Sequence, residues 1–289
     1  MLDLSTTKEI LNEFNILPRQ SLGQNFLISQ PIVQKIIEIS NLSKQSHVLE
    51  IGPGLGSLTS VLLEFAAKVS AYEIDEQMIA VLEQRLSDKS NLALYHQNIL
   101  QADLHALYAK EQNFQVVANL PYYISAEIIE KLLTEVPNMK SMTLMLQKEA
   151  VERISLGPND SRYGPTAILI QLYGKITDKI KVASSCFYPQ PGVSSQVIKI
   201  ARDPKSVLFL NMENMNLLKF KDFLKQCFAQ RRKTIRNNLK NNLKTKLSEQ
   251  ELSKIEQLKI VDFDLRPEQI TAKKFWQLYL SVANYNDKD

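Results

Sequence analysis

Cysteine is scarce: Cys186 and Cys227 are the only two in 289 residues, far apart and in no metal-ligand spacing. That argues against both a disulfide framework and a zinc site, and two plain buried thiols are expected, with no metal. The three histidines, His47, His96 and His105, are scattered. They form no Ser/His or Cys/His constellation of the kind nucleophilic catalysis uses, and a structural role is expected for each. Long apolar runs are missing too. Nothing approaches the ~20 residues that span a bilayer, and Met1–Glu9 lacks a basic segment followed by an apolar one. A cytoplasmic, soluble protein with no membrane partner is the expectation. Glycine is also sparse and unevenly placed. Of eight glycines, three fall within the seven residues Glu50–Gly56.

What is present is the balance of an ordinary globule, 44% apolar and 23% charged, in a chain longer than one average domain. The net charge of +4 is uneven. Residues 219–246 carry ten Lys/Arg against the single acid Asp222, a local +9 that leaves −5 elsewhere. Clustered cations bind polyanions by releasing condensed counterions, so nucleic acid is a candidate partner, with a solvated helix face as the alternative.

Strand and helix patterns alternate after a helical segment around Ile32–Ile37. The strand candidates are His47–Ile51, Lys68–Ile74, Leu92–His96, Gln115–Ala118 and Met142–Leu146, with helices at Leu58–Phe65, around Met78–Leu86 and through Ile128–Leu133. This is the βαβ rhythm of a doubly wound, Rossmann-like parallel sheet. Further on, Ala167–Tyr173 and Ile176–Val182 meet at Gly174-Lys175, and Val193–Ile200 is β-rich, so an antiparallel hairpin is expected to end the sheet. Beyond Arg202-Asp203-Pro204 the pattern is helical: Leu217–Gln230, a basic stretch to Leu247, Ser248–Gln257 and Pro267–Ala283. Two domains are expected, 1–203 and an all-helical 204–289.

The glycine turn follows the first strand, and Glu73 ends the second, where a carboxylate can accept hydrogen bonds from ribose hydroxyls. Gly52 and Gly54 would let the backbone approach an adenosine-containing ligand. The turn alone fits a nicotinamide dinucleotide or S-adenosylmethionine. Ser57 stands where the dinucleotide fingerprint wants its last glycine, and Glu50 would repel a pyrophosphate but help orient the ammonium and sulfonium region of a methyl donor. The second motif, Asn119-Leu120-Pro121-Tyr122, tilts the reading further. An exocyclic amine is a weak nucleophile because its lone pair is delocalised into the ring. The Asn119 amide oxygen and the Leu120 carbonyl can localise that pair, Pro121 restricts the backbone holding them, and Tyr122 can stack on the base. Phe187, in Phe187-Tyr188-Pro189-Gln190-Pro191, could close the other face of the base or plug the hairpin. The loop Leu156–Gly164, with Arg162, could contact RNA or be plain surface.

At this point the chain resembles the bacterial small-subunit ribosomal RNA adenine dimethyltransferases, over nearly its whole length. The resemblance rests on Gly23–Leu27, Glu50–Gly56, Glu73-Ile74-Asp75, Asn119–Ser125, Tyr163-Gly164, Phe187–Pro191 and Gln230–Leu239. It implies a class I methyltransferase fold and S-adenosylmethionine as donor. It also implies N6,N6-dimethylation of two adjacent adenosines in a hairpin loop near the 3′ end of 16S rRNA, within a 30S precursor, by a monomer. The donor contacts it carries over are Asn25, Leu27, Gly52, Glu73 and Asn119. Asn98 stands where the family usually has an aspartate for the donor's adenine, which implies somewhat weaker donor binding, and Ser194 likewise replaces an aspartate. The basic residues Arg231, Arg232, Lys233 and Arg236 are spaced to place cations on neighbouring turns of one helix. A large-subunit rRNA methyltransferase of the macrolide-resistance type and a non-catalytic RNA-binding assembly factor are the rival readings.

Overall fold

The computed structural model describes residues 2–108, 110–210, 217–243 and 247–286. By their contacts the residues group into two units. The first comprises Met1–Leu132, Asn138–Val151 and Lys175–Arg202, the second Leu133–Pro137, Glu152–Gly174 and Asp203–Asp289.

The chain opens with α1 (Leu4–Glu13), β1 (Phe26–Leu27) and α2 (Gln30–Ser40), then alternates through β2 (His47–Ile51), α3 (Thr59–Phe65), β3 (Lys68–Glu73), α4 (Glu76–Arg85), β4 (Leu92–His96), α5 (Leu104–Tyr108), β5 (Phe114–Asn119), α6 (Ser125–Glu135), β6 (Ser141–Gln147) and α7 (Lys148–Ile154). Five parallel strands lie in the order β4-β3-β2-β5-β6. Val48, Leu49, Val69, Ala71, Val116 and Val117 are fully buried, as expected of strands covered on both faces by crossover helices. The order reverses between β2 and β5, and the crevice beyond the carboxyl ends of those two strands is where ligands bind such sheets.

The end of the sheet differs from the expected hairpin. Residues 167–173 belong to a helix, α8 (Pro165–Tyr173), and the strand begins only at β7 (Gly174–Val182). A short run this apolar, interrupted only by Gln171, reads equally as a buried strand or a buried helix. Pro165 in the first turn and the buried ring of residues Ala167, Ile168, Leu169, Ile170, Leu172 and Tyr173 resolve it as a helix apolar on nearly all sides. After β8 (Phe187–Tyr188), β9 (Ser195–Arg202) runs antiparallel to β6, and β7 is the outermost strand beside it. The connection between β7 and β9 sends β8 to pair with β1, Leu27 opposite Phe187 and Phe26 opposite Tyr188.

In the second unit, α9 (Val207–Leu210), α10 (Leu217–Cys227), α11 (Ile235–Asn242), α12 (Glu249–Gln257) and α13 (Ala272–Asn286) follow. Their core is aromatic, with Phe220 packed edge-on to Trp276 at 5.0 Å and Phe228 beside Phe275 at 5.5 Å. Ser248 and Glu251 close α12 with a reciprocal capping box. The basic triplet departs from expectation: α10 stops at Cys227, and Arg231, Arg232 and Lys233 lie in turns before α11 rather than on a helix. Buried Asn238 holds those turns. Its Oδ1 accepts from the Gln230 N–H at 3.0 Å, while its Nδ2 donates to the Gln230 and Thr234 carbonyls, both at 3.1 Å. Thr234, whose side chain accepts from the Asn237 N–H, restarts the helix. Lys244 and Lys246 lie outside the described residues.

Candidate active site at the switch point

A cleft opens at the carboxyl ends of β2, β3, β4 and β5, walled by the loop Leu22–Leu27, the turn Glu50–Leu55, Glu73-Ile74, Gln97–Leu100 and Asn119–Ile124. Asn25, Leu27, Gly52, Gly54, Glu73, Asn98, Asn119, Leu120, Pro121 and Tyr122 all line it. Gly52, Gly54 and Gly56 take φ of +67°, +55° and +83°, the left-handed region open to glycine. A Cβ built at Gly52 would lie 3.8 Å from the carbonyl oxygen of Asn119. The glycine turn and the Asn-Leu-Pro-Tyr corner, far apart in the chain, therefore meet backbone to backbone. A Cβ at Gly54 would sit 3.2 Å from the Phe26 ring, so the turn also fits closely under the loop.

Glu73 ties the turn to the next strand. Its Oε2 accepts the Gly54 N–H at 3.1 Å, and its Oε1 accepts those of Ile74 and Asp75 at 2.8 and 3.0 Å. Burial raises its pKa, and these backbone N–H groups oppose the rise. A carboxylate offers about four lone-pair sites. Three are taken, so one ribose hydroxyl fits without rearrangement, and a second requires the Gly54 N–H to let go. Asn98 is similarly half used, its Oδ1 accepting the Leu100 N–H at 3.0 Å.

Glu50 is 2% exposed, and its Oε2 has no hydrogen-bond partner among the described residues. Burial pushes its pKa up to about 8, against a lowering pull from the Thr59 hydroxyl and with a further push from the Glu73 carboxylate. A buried carboxyl with one oxygen unpartnered on a cleft wall is suited to a cationic group entering beside it.

The acceptor corner is held from several sides. Asn119 Nδ2 donates to the Asn25 carbonyl at 3.3 Å, which leaves its Oδ1 for another donor. The Leu120 N–H donates to the Met145 carbonyl at 3.2 Å. Pro121, at φ −62°, leads into a 3₁₀ turn over Tyr122–Ile124. Sequence reasoning missed Ser195. Its hydroxyl shares a 2.6 Å hydrogen bond with that of Tyr122 and so fixes the ring; Tyr122 is half-buried, and its pKa is raised by burial despite that bond. The Leu27 carbonyl accepts from Ser57 Oγ at 2.7 Å, and buried Asp75 receives Gln24 Nε2 at 2.6 Å and faces Arg19 at 3.6 Å, so the 19–27 loop is pinned along its length. No local pattern marks Ser195, whose partner Tyr122 lies 73 residues away in the chain.

Phe187 is not brought to the cleft. It is 1% exposed and packs in the core with Leu27, Val182 and Val197, the plug of the two alternatives. His47 sits at the opposite end of β2, its ring against Tyr108 and Phe114 and hydrogen-bonded to Ser70 Oγ at 2.9 Å. Of the two thiols, Cys227 is buried and Cys186 only partly so.

The basic residues divide by what they already hold. Arg231 donates to the Ser161 and Tyr163 carbonyls at 2.6 and 3.0 Å and lies 5.3 Å over the Phe228 ring. A Cβ at Gly164 would come within 2.9 Å of its guanidinium. The Asn159 N–H adds a bond to the Glu268 carbonyl at 2.8 Å, so the loop that carries Arg162 is anchored. Arg162 pairs with Asp160 at 3.3 Å. Arg236 pairs with Glu249 at 3.3 Å and with Glu256. Arg232 and Lys233 are exposed, and their side chains make no ion pair or hydrogen bond among the described residues.

No described helix is long and apolar enough to cross a membrane, and no group of three or more His, Cys, Asp or Glu among the described residues is placed to hold a metal ion. Residues 15–279 match the family described as ribosomal RNA adenine dimethylase. A ribosomal RNA small subunit methyltransferase A from Geobacillus kaustophilus is 40% identical over 237 residues, covering 81% of this chain and 80% of its own. The protein of the same description from Clostridium acetobutylicum is 36% identical over 272 residues, 94% of this chain and 96% of its own. Among solved structures, a dimethyladenosine transferase from Plasmodium falciparum is 28% identical with a TM-score of 0.72, over 90% of this chain and 98% of that one.

Proposed function

Because the chain belongs to the ribosomal RNA adenine dimethylase family, we propose that it methylates N6 of two adjacent adenosines, twice each. The proposed substrate is the hairpin loop near the 3′ end of 16S rRNA in a 30S precursor, and the protein acts on it as a monomer. The observation that carries the assignment of the site is the meeting of the glycine turn with the acceptor corner, Gly52 against the Asn119 carbonyl. S-adenosylmethionine, held by this turn, supplies a methyl group on a sulfonium that is already an excellent leaving group. Of the residues lining the cleft, Glu50 would face its ammonium, Glu73 would accept a hydrogen bond from a ribose hydroxyl, Asn98 and the aliphatic walls Ile74 and Ile99 would take the adenine, and the Asn25 and Leu27 segment would cover it.

The chain's own work is on the nucleophile. Asn119 Oδ1 and the Leu120 carbonyl accept hydrogen bonds from the N6–H groups and draw the nitrogen toward a pyramidal geometry, with its lone pair facing the methyl group; as the N6–methyl bond forms the sulfur–methyl bond breaks, and the cationic nitrogen then loses one proton to solvent. Tyr122, immobilised through Ser195, holds the base out of its own stack. In-line positioning then supplies most of the acceleration. Methyl-label transfer to purified 30S and 50S precursors from cells lacking the modification tests the reading. Label is expected in 30S rRNA alone. Label in the 50S precursor would point to the large-subunit rival, and none in either to an assembly factor.

RNA docking is assigned to the helical part, 204–289, chiefly to Arg232 and Lys233, with Arg231 and Arg236 holding structure around them and Arg162 presented by the Arg231-held loop. Replacing Arg232 and Lys233 with glutamine is expected to weaken 30S-precursor binding and flatten its log–log salt dependence, by just under one unit for each duplex phosphate no longer neutralised. Arg231→Lys keeps the charge but cannot span two carbonyls as a planar fork. It is expected to leave the salt slope unchanged and to speed amide exchange in residues 161–164. A salt slope that falls with Arg231→Lys as it does with the glutamine pair would reassign Arg231 to phosphate.

A further inference from the structure

Tyr122 and Tyr123 are consecutive, but the cleft uses them differently. They occupy a 3₁₀ turn, in which successive side chains diverge by about 120°. Tyr122 turns inward, half-buried, with its hydroxyl bound to Ser195. Tyr123 also lines the cleft but is 61% exposed, and its hydroxyl has no hydrogen-bond partner among the described residues. Its ring is nonetheless placed. It rests on the 19–27 loop at Gly23, where φ is +66° and an added Cβ would touch the ring at 3.7 and 3.8 Å and Pro121 at 3.8 Å. One side of the ring is seated on a pinned loop, and most of its surface faces solvent at the mouth of the acceptor corner.

We propose that Tyr123 is a stacking platform for the nucleotide adjacent to the one being methylated, which makes it a binding residue for the second base of the substrate. The inference rests on the proposed reaction at this site. A base entering the Asn119 corner must leave its own stack, so its neighbour loses a stacking partner and needs another at the cleft mouth. The ring of Tyr123 is the aromatic surface available there, one residue along the turn from the ring that holds the target base. An exposed ring stacks on any base, so the contact contributes affinity and placement and not base identity. The same platform receives whichever of two adjacent adenosines is not in the corner, and so suits a protein that must work on both.

The test uses 30S particles reconstituted with rRNA in which each of the two adjacent adenosines is replaced in turn by 2-aminopurine or by an abasic nucleotide. Wild type and Tyr123→Phe are expected to quench the 2-aminopurine fluorescence, and Tyr123→Ala is not. Tyr123→Ala is also expected to raise the half-saturating RNA concentration in single-turnover transfer about ten- to hundred-fold, from the usual worth of one base–aromatic stack. Its affinity for S-adenosylmethionine by calorimetry should stay that of wild type. On RNA abasic at the neighbouring position, wild type and Tyr123→Ala should converge. Equal quenching by Tyr123→Ala, or an undiminished defect on abasic RNA, would overturn the platform. Failure of wild type to methylate the unsubstituted particle would instead overturn the reaction on which the inference stands.

Discussion

Asn119→Ala is expected to slow single-turnover methyl transfer about 10²–10³-fold, the usual cost of removing one preorganised group that meets charge only as it develops. Equilibrium affinity for the 30S precursor should change by less than about threefold. The separation follows from where the residue sits. Its Nδ2 is committed to the Asn25 carbonyl at 3.3 Å, so the amide is oriented before substrate arrives and Oδ1 is the atom left for the amine. In the ground state the N6 hydrogens lie in the ring plane and bond it weakly. As the nitrogen pyramidalises and gains positive charge, the same contact strengthens, so the interaction belongs to the transition state. Binding of the RNA by its phosphates and stacked bases does not sense that change. Rapid-quench measurement at saturating donor and enzyme decides the point. A rate within tenfold of wild type would remove Asn119 from the chemistry and leave it as a strut for the 19–27 loop.

Both halves of this site were legible because each is a local pattern with a backbone reason. Three positive-φ glycines in seven residues have few explanations other than close approach, and Asn119-Leu120-Pro121-Tyr122 at a strand end reads as a shaped corner. Their meeting followed from the βαβ rhythm, which places both at carboxyl ends of neighbouring strands. Other features were less legible, each for a physical reason. The Ala167–Tyr173 run has no periodicity, and only Pro165 carried the helix signal. The roles of Arg231 and Arg236 depend on partners distant in sequence, Ser161, Tyr163 and Glu256, which charge counting ignores. Cations at i, i+1, i+2 and i+5 suggested neighbouring turns of one helix, but Asn238, seen only as a polar residue in a basic tract, holds Gln230 in a turn instead. Phe187 was left open between base and core. Its near-complete burial against Leu27, Val182 and Val197 places it in the core, through partners distant in sequence that a local pattern does not show.

Glu50 gives the second large effect, and its sign is set by burial. Its folded-state pKa, about 8, lies well above the ordinary glutamate value of 4.5. The folded protein therefore holds a proton that the unfolded chain has released. The stability contributed by the neutral acid is complete below about pH 4.5 and is lost as pH rises through 8. Glu50→Gln removes that loss. At pH 7 the variant should be more stable than the donor-free wild type by on the order of 3 kcal/mol, by linkage at 1.36 kcal/mol per pKa unit, and the gap should close on acidification. A native residue kept at such a cost calls for a ligand that reverses it, and an ammonium group set beside Oε2 does so by favouring the ionised form. Binding of S-adenosylmethionine by wild type should accordingly tighten between pH 6 and 7.5, below the range where an α-amino group itself deprotonates, and release about one proton. Calorimetry in two buffers of different ionisation enthalpy reads that proton directly. For Glu50→Gln the binding should be weaker and its pH dependence flat. A wild type that binds the donor with no proton release at pH 7, or a glutamine variant that binds as tightly and is no more stable, would show that the Glu50 carboxyl is already ionised and satisfied. The donor's ammonium would then be held by the backbone of the glycine turn instead.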